Sequence, residues 1–314
     1  MLVIGDVMVD SYVWGKVTRI SPEAPVPVVA VHKKENRLGG AANVALNVQA
    51  MGAAPILCSI VGKDDGGELF IELLKNQKLS SQGILKSAKR ATTLKTRVIG
   101  NNHQLIRVDE EIDSNVSPNE TSELYNTIEK IIKSEKIDAI IFEDYDKGLI
   151  TPVLIEKVVR LANDKNIPTV VDPKKKNFLS YKGVTVLKPN LKEFKEGIKN
   201  DFDHSNIKEL DKEVDAFIKK QEIDTVFITL SEHGVYINTQ KFKKRIPAYV
   251  RQIADVSGAG DTVVSLVALC IALKVNPYII ASIANLAGGL VCEQVGVVPI
   301  NKQQLLNEAF KINL

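Results

Sequence analysis

The run Asp255-Val-Ser-Gly-Ala-Gly-Asp-Thr262 sets a flexible Gly-Ala-Gly turn directly before the apolar stretch 262–273 (TVVSLVALCIAL) and plants a carboxylate at the junction. The apolar stretch is long enough for about three helical turns, so the free amides of Gly258, Ala259 and Gly260 would point out of the helix N-terminus toward a developing negative charge. Asp261 would stand beside that charge. A carboxylate next to an anion hole is electrostatically unfavourable, and accepting a proton from an attacking hydroxyl is a task that justifies it. A helix cap after a glycine turn is the plain alternative. Two other phosphate loops are excluded by spacing. The P-loop needs Gly-x-x-x-x-Gly-Lys-Ser/Thr and the dinucleotide fingerprint needs Gly-x-Gly-x-x-Gly, and Gly258-Ala-Gly260-Asp-Thr-Val satisfies neither.

Outward from this run, β-rich segments (2–4, 56–61, 139–142, 169–171, 184–187, 226–229) alternate with amphipathic helical patterns (41–51, 67–75, 152–163). That rhythm predicts a three-layer α/β/α core with a mostly parallel sheet and helices on both faces. Several of the strands end in polar motifs: Gly5-Asp6, Glu143-Asp144, Asp172-Pro-Lys174, Pro189-Asn190 and Thr229. An open α/β sheet places its ligands along that carboxyl edge. Two segments, 11–37 and 91–109, alternate apolar and polar residues without an intervening helix. They predict a small antiparallel β-sheet projecting from the main one, either as a lid or as ordinary edge hairpins.

The chain has 314 residues, 45% of them hydrophobic and 25% charged, which suits one large α/β domain over 1–314 with a small appendage. A net charge of +3 gives no reason to expect nucleic acid or a membrane as partner. Cys58, Cys270 and Cys292 are odd in number, far apart and in apolar contexts, which fits reduced thiols and a cytoplasmic location. His32, His103, His204 and His233 lack ligand spacing, so no transition-metal site is expected. Neither a leader with a cleavage site nor a transmembrane span is legible in the chain.

Four motifs stand in order: Gly5-Asp6 with Asp10, Gly39-Gly-Ala-Ala-Asn43, Asn190-x-x-Glu193, and Asp255-x-x-Gly-Ala-Gly-Asp261. Together they resemble the ribokinase-like (PfkB) carbohydrate kinases over essentially the full length. Within that family, Thr18-Arg-Ile-Ser-Pro-Glu-Ala-Pro-Val-Pro-Val28, Leu94-Lys-Thr-Arg-Val98, Gln104-Leu-Ile-Arg-Val-Asp109 and Asp144-Tyr-Asp-Lys-Gly148 are similar to the kinases of D-glycero-β-D-manno-heptose 7-phosphate, which feed ADP-heptose synthesis.

The resemblance implies a role for each matched residue. Asp261 matches the general base that takes the proton from the sugar hydroxyl attacking the γ-phosphate of ATP, and Gly258, Ala259 and Gly260 match the anion hole. Asp10, Gly39, Gly40 and Asn43 match the sugar site, where an Asp and an Asn can each bridge adjacent hydroxyls and the glycine pair admits the ring close to the backbone. Asp144 and Lys147 join them on the substrate side. Asn190 and Glu193 match the magnesium and phosphate motif, Glu193 acting on Mg2+ through metal-bound water. Lys174 and the turn residues Thr229, Ser231 and Gly234 match nucleotide-side positions, and Asn285 matches a residue near the adenine. Lys95, Arg97 and Arg107 fall in the expected lid, where they suit a second anion on the substrate. Solubility charges on the lid surface are the alternative.

The implied cofactors are ATP and Mg2+. A monovalent cation stays open, because Val297 follows Gly296 where a hydroxyl side chain is expected. Asp146 also stands where a small residue is expected. The chain ends soon after Val297-Val-Pro299, so a kinase without a nucleotidyltransferase domain is expected. A homodimer paired through the lid is expected as well. The motifs leave two alternatives: a kinase for another sugar or sugar phosphate such as ribose, fructose or tagatose 6-phosphate, and a non-catalytic sugar-nucleotide binding module. Retention of Asp261, Asn190 and Glu193 together favours the enzyme, since a pure binder needs no base beside its anion hole.

Overall fold

Leu2, Val3 and Ile4 are all fully buried, yet they belong to two different cores: Val3 packs into one, Leu2 and Ile4 into the other. Successive side chains of a strand point to opposite faces, so an uninterrupted apolar run requires cover on both sides. The computed structural model describes residues 1–101, 103–249 and 251–314. Its strands are β1 (Leu2–Gly5), β2 (Val7–Ile20), β3 (Pro27–Gly40), β4 (Ile56–Gly62), β5 (Gly83–Ser87), β6 (Leu94–Gly100), β7 (His103–Glu110), β8 (Ile140–Glu143), β9 (Thr169–Asp172), β10 (Val186–Leu187), β11 (Thr225–Thr229), β12 (Val235–Thr239) and β13 (Lys243–Ile246). Its helices are α1 (Ala41–Ala50), α2 (Asp65–Asn76), α3 (Pro118–Ser134), α4 (Pro152–Asp164), α5 (Leu191–Ile198), α6 (Ile207–Gln221), α7 (Ala259–Ala272), α8 (Pro277–Val291) and α9 (Lys302–Lys311).

Among the described residues the large sheet has nine strands in the order β13-β12-β11-β10-β9-β8-β1-β4-β5, parallel except where β12 and β13 turn back antiparallel. Helices α1, α2, α7, α8 and α9 line the core that takes Val3, Ile141 and Val170, while α3, α4, α5 and α6 line the core that takes Ile4, Phe142 and Val171. Each such side chain, fully buried, contributes roughly 1.5–3 kcal/mol. The chain runs from β1 outward to β4 and β5 on one side, then returns to lay β8 on the other. That reversal opens a crevice between the carboxyl ends of β1 and β8, where a ligand fits without displacing a crossover helix.

The two non-helical segments form a second, four-stranded sheet in the order β3-β2-β6-β7. Its hairpins β2/β3 and β6/β7 are antiparallel, as the alternation implies, and the β2/β6 seam between them is parallel. The parallel seam follows from topology, because α1, β4, α2 and β5 intervene between β3 and β6. Asn102, inside the second expected lid segment, lies outside the described residues. No described helix is long and apolar enough to cross a membrane.

Candidate active site

Gly258 adopts a left-handed conformation (φ 79°) as the N-cap of α7. A side chain there would be strained, and a Cβ would stand 3.0 Å from the Asn43 amide nitrogen. The backbone N–H groups of Gly258 and Gly260 have no hydrogen-bond partner among the described residues, whereas Ala259 N–H is turned to the Val256 carbonyl at 3.3 Å. Of the three expected anion-hole residues, two therefore present free donors at a helix N-terminus.

Asp261 lies in the first turn of α7 and is buried. Asn43 Nδ2 donates to its Oδ2 at 2.6 Å and the Tyr145 hydroxyl donates to its Oδ1 at 2.7 Å. Burial pushes the Asp261 carboxyl above its ordinary range, and the Asn43 and Tyr145 hydrogen bonds pull part of the way back. The outcome is an oriented carboxylate that binds a proton more readily than a surface aspartate. Asn43 is itself fully buried on α1, with one N–H of its amide given to Asp261.

Around this carboxylate stands a buried polar cluster from the ends of β8, β9 and β10. Lys188 Nζ pairs with Asp172 Oδ2 at 2.6 Å and lies 3.4 Å from the Gly260 carbonyl oxygen, so its ammonium group stands beside the N-terminal turn of α7. Lys174 bridges Glu193 at 2.7 Å and Asp172 at 3.4 Å. Burial alone would raise Asp172, but the Lys174 and Lys188 ammonium groups outweigh it and hold the carboxyl below its ordinary range. Glu143, the register partner of Asp172 on the adjacent strand, is buried, and neither carboxyl oxygen has a hydrogen-bond partner among the described residues. Burial, then the nearby Asp172 and Asp261, hold Glu143 well above its ordinary range.

The remaining sequence-predicted residues lie on the small sheet, in the loop after β8, around the ends of β10 and β11, and on α8. On the small sheet, Asp10 is buried, and its Oδ1 accepts from Arg97 Nη1 at 2.5 Å. Its other oxygen lies so close over Gly39 that any side chain there would collide with it. Gly40 (φ 60°) turns the chain from β3 into α1. Lys95 pairs with Asp109 at 2.9 Å and Glu111 at 2.7 Å, Lys147 with Glu111 at 2.7 Å, and the half-exposed Arg107 with Asp109 at 2.9 Å. Asp144 faces inward, accepting from Asn177 at 3.0 Å and the Tyr181 hydroxyl at 2.8 Å.

Beyond the end of β10, Asn190 and Glu193 form a capping box that starts α5. Asn190 Oδ1 accepts from Glu193 N, and Glu193 Oε2 accepts from Asn190 N, each at 2.8 Å. Thr229 ends β11 beside Asn190, with Ser231 and the left-handed Gly234 in the turn that follows. Asn285 Nδ2 donates to the Pro247 carbonyl at 2.8 Å.

A match to the pfkB family of carbohydrate kinases extends over residues 1–304. The chain belongs to that family. Two proteins named bifunctional protein HldE are among its relatives: that of Geobacter sulfurreducens is 35% identical over 97% of this chain and 62% of its own length, and that of Helicobacter pylori 36% identical over 94% of this chain and 63% of its own. The chain thus spans less than two thirds of the curated relatives it matches. Among solved structures, Escherichia coli phosphofructokinase-2 in complex with potassium superimposes with TM-score 0.83 at 15% identity, covering 100% of this chain and 99% of that one. Arabidopsis thaliana ribokinase complexed with ribose and ATP gives TM-score 0.72 at 16% identity, with 97% of each chain covered. At such identity the likeness is one of fold, and that fold is ribokinase-like: a large mostly parallel sheet between helices, with a small sheet at its edge. A pfkB kinase transfers phosphate to a carbohydrate, and the free amides beside an oriented carboxylate at Asp261 are the parts such chemistry needs.

Four residues at this centre were given no individual role by the sequence. Tyr145 and Glu143 sit on either side of Asp144, inside a segment already singled out. Lys188 precedes Pro189-Asn190 as one more lysine in a lysine-rich chain. Asp6 accepts from the backbone N–H groups of Tyr145 at 2.9 Å, Lys147 at 3.2 Å and Leu149 at 3.1 Å, and so fixes the loop that presents the Tyr145 hydroxyl. The Gly5-Asp6 pair was legible, but its partners lie too far along the chain for spacing to reveal.

Proposed function

We propose that this pfkB kinase transfers the γ-phosphate of ATP to the anomeric hydroxyl of D-glycero-β-D-manno-heptose 7-phosphate, giving the 1,7-bisphosphate for ADP-heptose synthesis in the cytoplasm. The observation that carries the reaction class is Asp261, a buried carboxylate oriented by two donors next to free helix N-terminal amides. The choice of acceptor is supported by the heptose-kinase-like segments at 18–28, 94–98, 104–109 and 144–148, and a heptose 7-phosphate kinase activity fits the portion of HldE that the chain matches.

In this mechanism Asp10 and the close backbone at Gly39 and Gly40 position the sugar, and Asp261 Oδ takes the proton of the attacking hydroxyl. The N–H groups of Gly258 and Gly260, with Lys188 beside them, stabilise charge on the transferred phosphoryl group. Lys174, the 229–234 turn and Asn285 serve the nucleotide. Asn43 and Tyr145 keep the base aimed.

Among the described residues no group of three carboxylate, histidine or cysteine ligands could by itself hold a metal. Mg2+ typically keeps several waters and takes only one or two carboxylates besides substrate phosphates, and Glu193, with Asp172 close by through Lys174, fits that pattern. Bound there, the ion supplies charge neutralisation of the ATP phosphates. We further propose that the small sheet (segments 11–37 and 91–109) acts as a lid and pairs two copies of the chain, and that the acceptor's phosphate meets its cationic face, to which Lys95, Arg97 and Arg107 belong.

The test is ADP release across heptose 7-phosphate, fructose 6-phosphate, tagatose 6-phosphate, ribose and fructose. The highest kcat/KM is expected for heptose 7-phosphate. A higher value for any other acceptor would overturn the assignment.

A further inference from the structure

The β2/β3 register places Arg37 opposite Asp10, and the β2/β6 register places Arg97 opposite Tyr12. Side chains at directly opposed positions share a face, so both arginines stand on the Asp10 face of the small sheet. Their guanidinium carbons lie 5.0 Å (Arg37) and 5.2 Å (Arg97) from the centroid of the same Tyr12 ring, whose flank is stacked with Trp14 at 5.4 Å. Arg37 also reaches the main body, donating from Nη1 to the Val297 carbonyl at 3.3 Å. A Cβ at the neighbouring Gly296 would stand 2.9 Å from that Nη1. Val297 in turn lies beside Gly258, a Cβ on which would be 3.4 Å from the Val297 side chain. Arg37 therefore sits at the seam between the small sheet and the anion-hole turn.

Two like charges on one ring repel, and the protein offsets this only in part. Arg97 has Asp10, and Arg37 shares Glu35 with Lys33. Farther out, Lys95, Arg107 and Lys147 share Asp109 and Glu111. In these linked pairs six cations meet four carboxylates, and Asp255, which feels the charge of Arg97, is a fifth acid nearby, so positive charge is still left in excess. A phosphate monoester near neutral pH carries close to two negative charges. Donors remain for it: Nη2 of Arg37, and Nε and Nη2 of Arg97, have no acceptor among the described residues. Both guanidinium carbons are close enough to the Tyr12 ring for cation–π attraction, which holds the two side chains near one another before a ligand arrives.

We infer that Arg37 and Arg97, aligned on Tyr12, form the clamp for a phosphate monoester already carried by the acceptor, with Arg37 as its principal specificity determinant. Arg107 is peripheral. It lies on edge strand β7, directly opposite Arg97 but two strands from Asp10 and so about 10 Å from it at the usual strand spacing, and its side chain is half exposed and paired with Asp109. The inference deepens the proposed function and rests on its claim that the acceptor carries a phosphate.

The experiment compares kcat/KM for heptose 7-phosphate and unphosphorylated heptose in the parent, Arg37→Met, Arg37→Lys and Arg107→Ala, with ATP KM as control and calorimetric binding of heptose 7-phosphate in the absence of ATP as a second readout. Methionine keeps much of the arginine stem's packing on Tyr12 and removes the charge. Arg37→Met should lower the preference for the phosphorylated acceptor by at least about tenfold, mainly through KM, with ATP KM within about twofold of the parent. Arg37→Lys should recover part of the loss, and Arg107→Ala should lose less than Arg37→Met. If the parent prefers the phosphorylated sugar and Arg37→Met keeps that preference, the clamp is wrong while the proposed function stands. If the parent shows no preference, the acceptor assignment itself falls and the clamp with it. A fall in kcat with unchanged acceptor binding would make Arg37 a latch to Val297, which also overturns the clamp.

Discussion

Replacing Tyr145 with phenylalanine isolates one interaction of the base. The ring keeps its packing, and what disappears is the hydroxyl that donates to Asp261 Oδ1 at 2.7 Å. That donor favours the charged carboxylate, so its loss shifts Asp261 further in the direction burial already pushes it, toward holding a proton. The reaction needs the unprotonated base, so the acid limb of the kcat/KM profile must move to higher pH. A hydrogen bond to a charged group is worth roughly 1.5–3 kcal/mol, and at about 1.4 kcal/mol per decade the variant should be about ten- to a hundredfold slower on that limb. On the plateau, where Asp261 is ionised in both proteins, Asn43 still holds Oδ2 at 2.6 Å and most of the difference should vanish. The assay is a coupled ADP-release measurement of kcat/KM in half-unit pH steps. An acid limb that stays in place, or a loss of equal size at every pH, would show that Tyr145 does not tune the base.

Other expectations follow from the same geometry. Asp261→Asn keeps shape but cannot accept a proton, so kcat should fall at least ~10²-fold while calorimetric ATP binding stays near the parent value; near-normal turnover would remove Asp261 from the mechanism. A methyl group at Gly39 would strike the Asp10 carboxylate, and Gly39→Ala should raise the acceptor KM by about tenfold or more with little change in ATP KM; equal effects on both substrates would place the lesion elsewhere. Glu143 is held above its ordinary range by burial first and then by Asp172 and Asp261, so the stability it contributes is full below the unfolded carboxylate range and is lost as pH rises through the folded value. Glutamine cannot ionise. The Tm of Glu143→Gln relative to the parent should therefore climb by a few degrees between pH 5 and pH 9, and a difference independent of pH would mean that Glu143 is not protonated in the fold.

The glycine turn that starts α7 was legible because its signal is local: glycines, an acid and an apolar run in one short stretch make a helix start in any context. β1 and its neighbours were legible for a similar reason, since continuous apolar runs bounded by polar motifs mean cover on both faces. Helix α3 could have been read from Ser117-Pro-Asn-Glu120, whose capping box the structure contains. What the sequence hid were pairings over long separations. Tyr145 meets Asp261 across 116 residues, Arg97 meets Asp10 across 87, and Arg37 reaches Val297 across 260. Nothing in the spacing of a tyrosine or an arginine announces such a partner. The parallel β2/β6 seam is of the same kind, because alternation reveals strands but not which neighbour each one takes.

The central claim is phosphoryl transfer to the anomeric oxygen of an already phosphorylated heptose, and the 31P NMR spectrum of the product tests it most directly. With ATP, Mg2+ and heptose 7-phosphate, a second sugar-phosphate resonance coupled to the anomeric proton should grow in step with ADP, one for one, and should be absent with Asp261→Asn. A new phosphate on any other carbon, or ADP formed without a new sugar-phosphate resonance, would contradict the account.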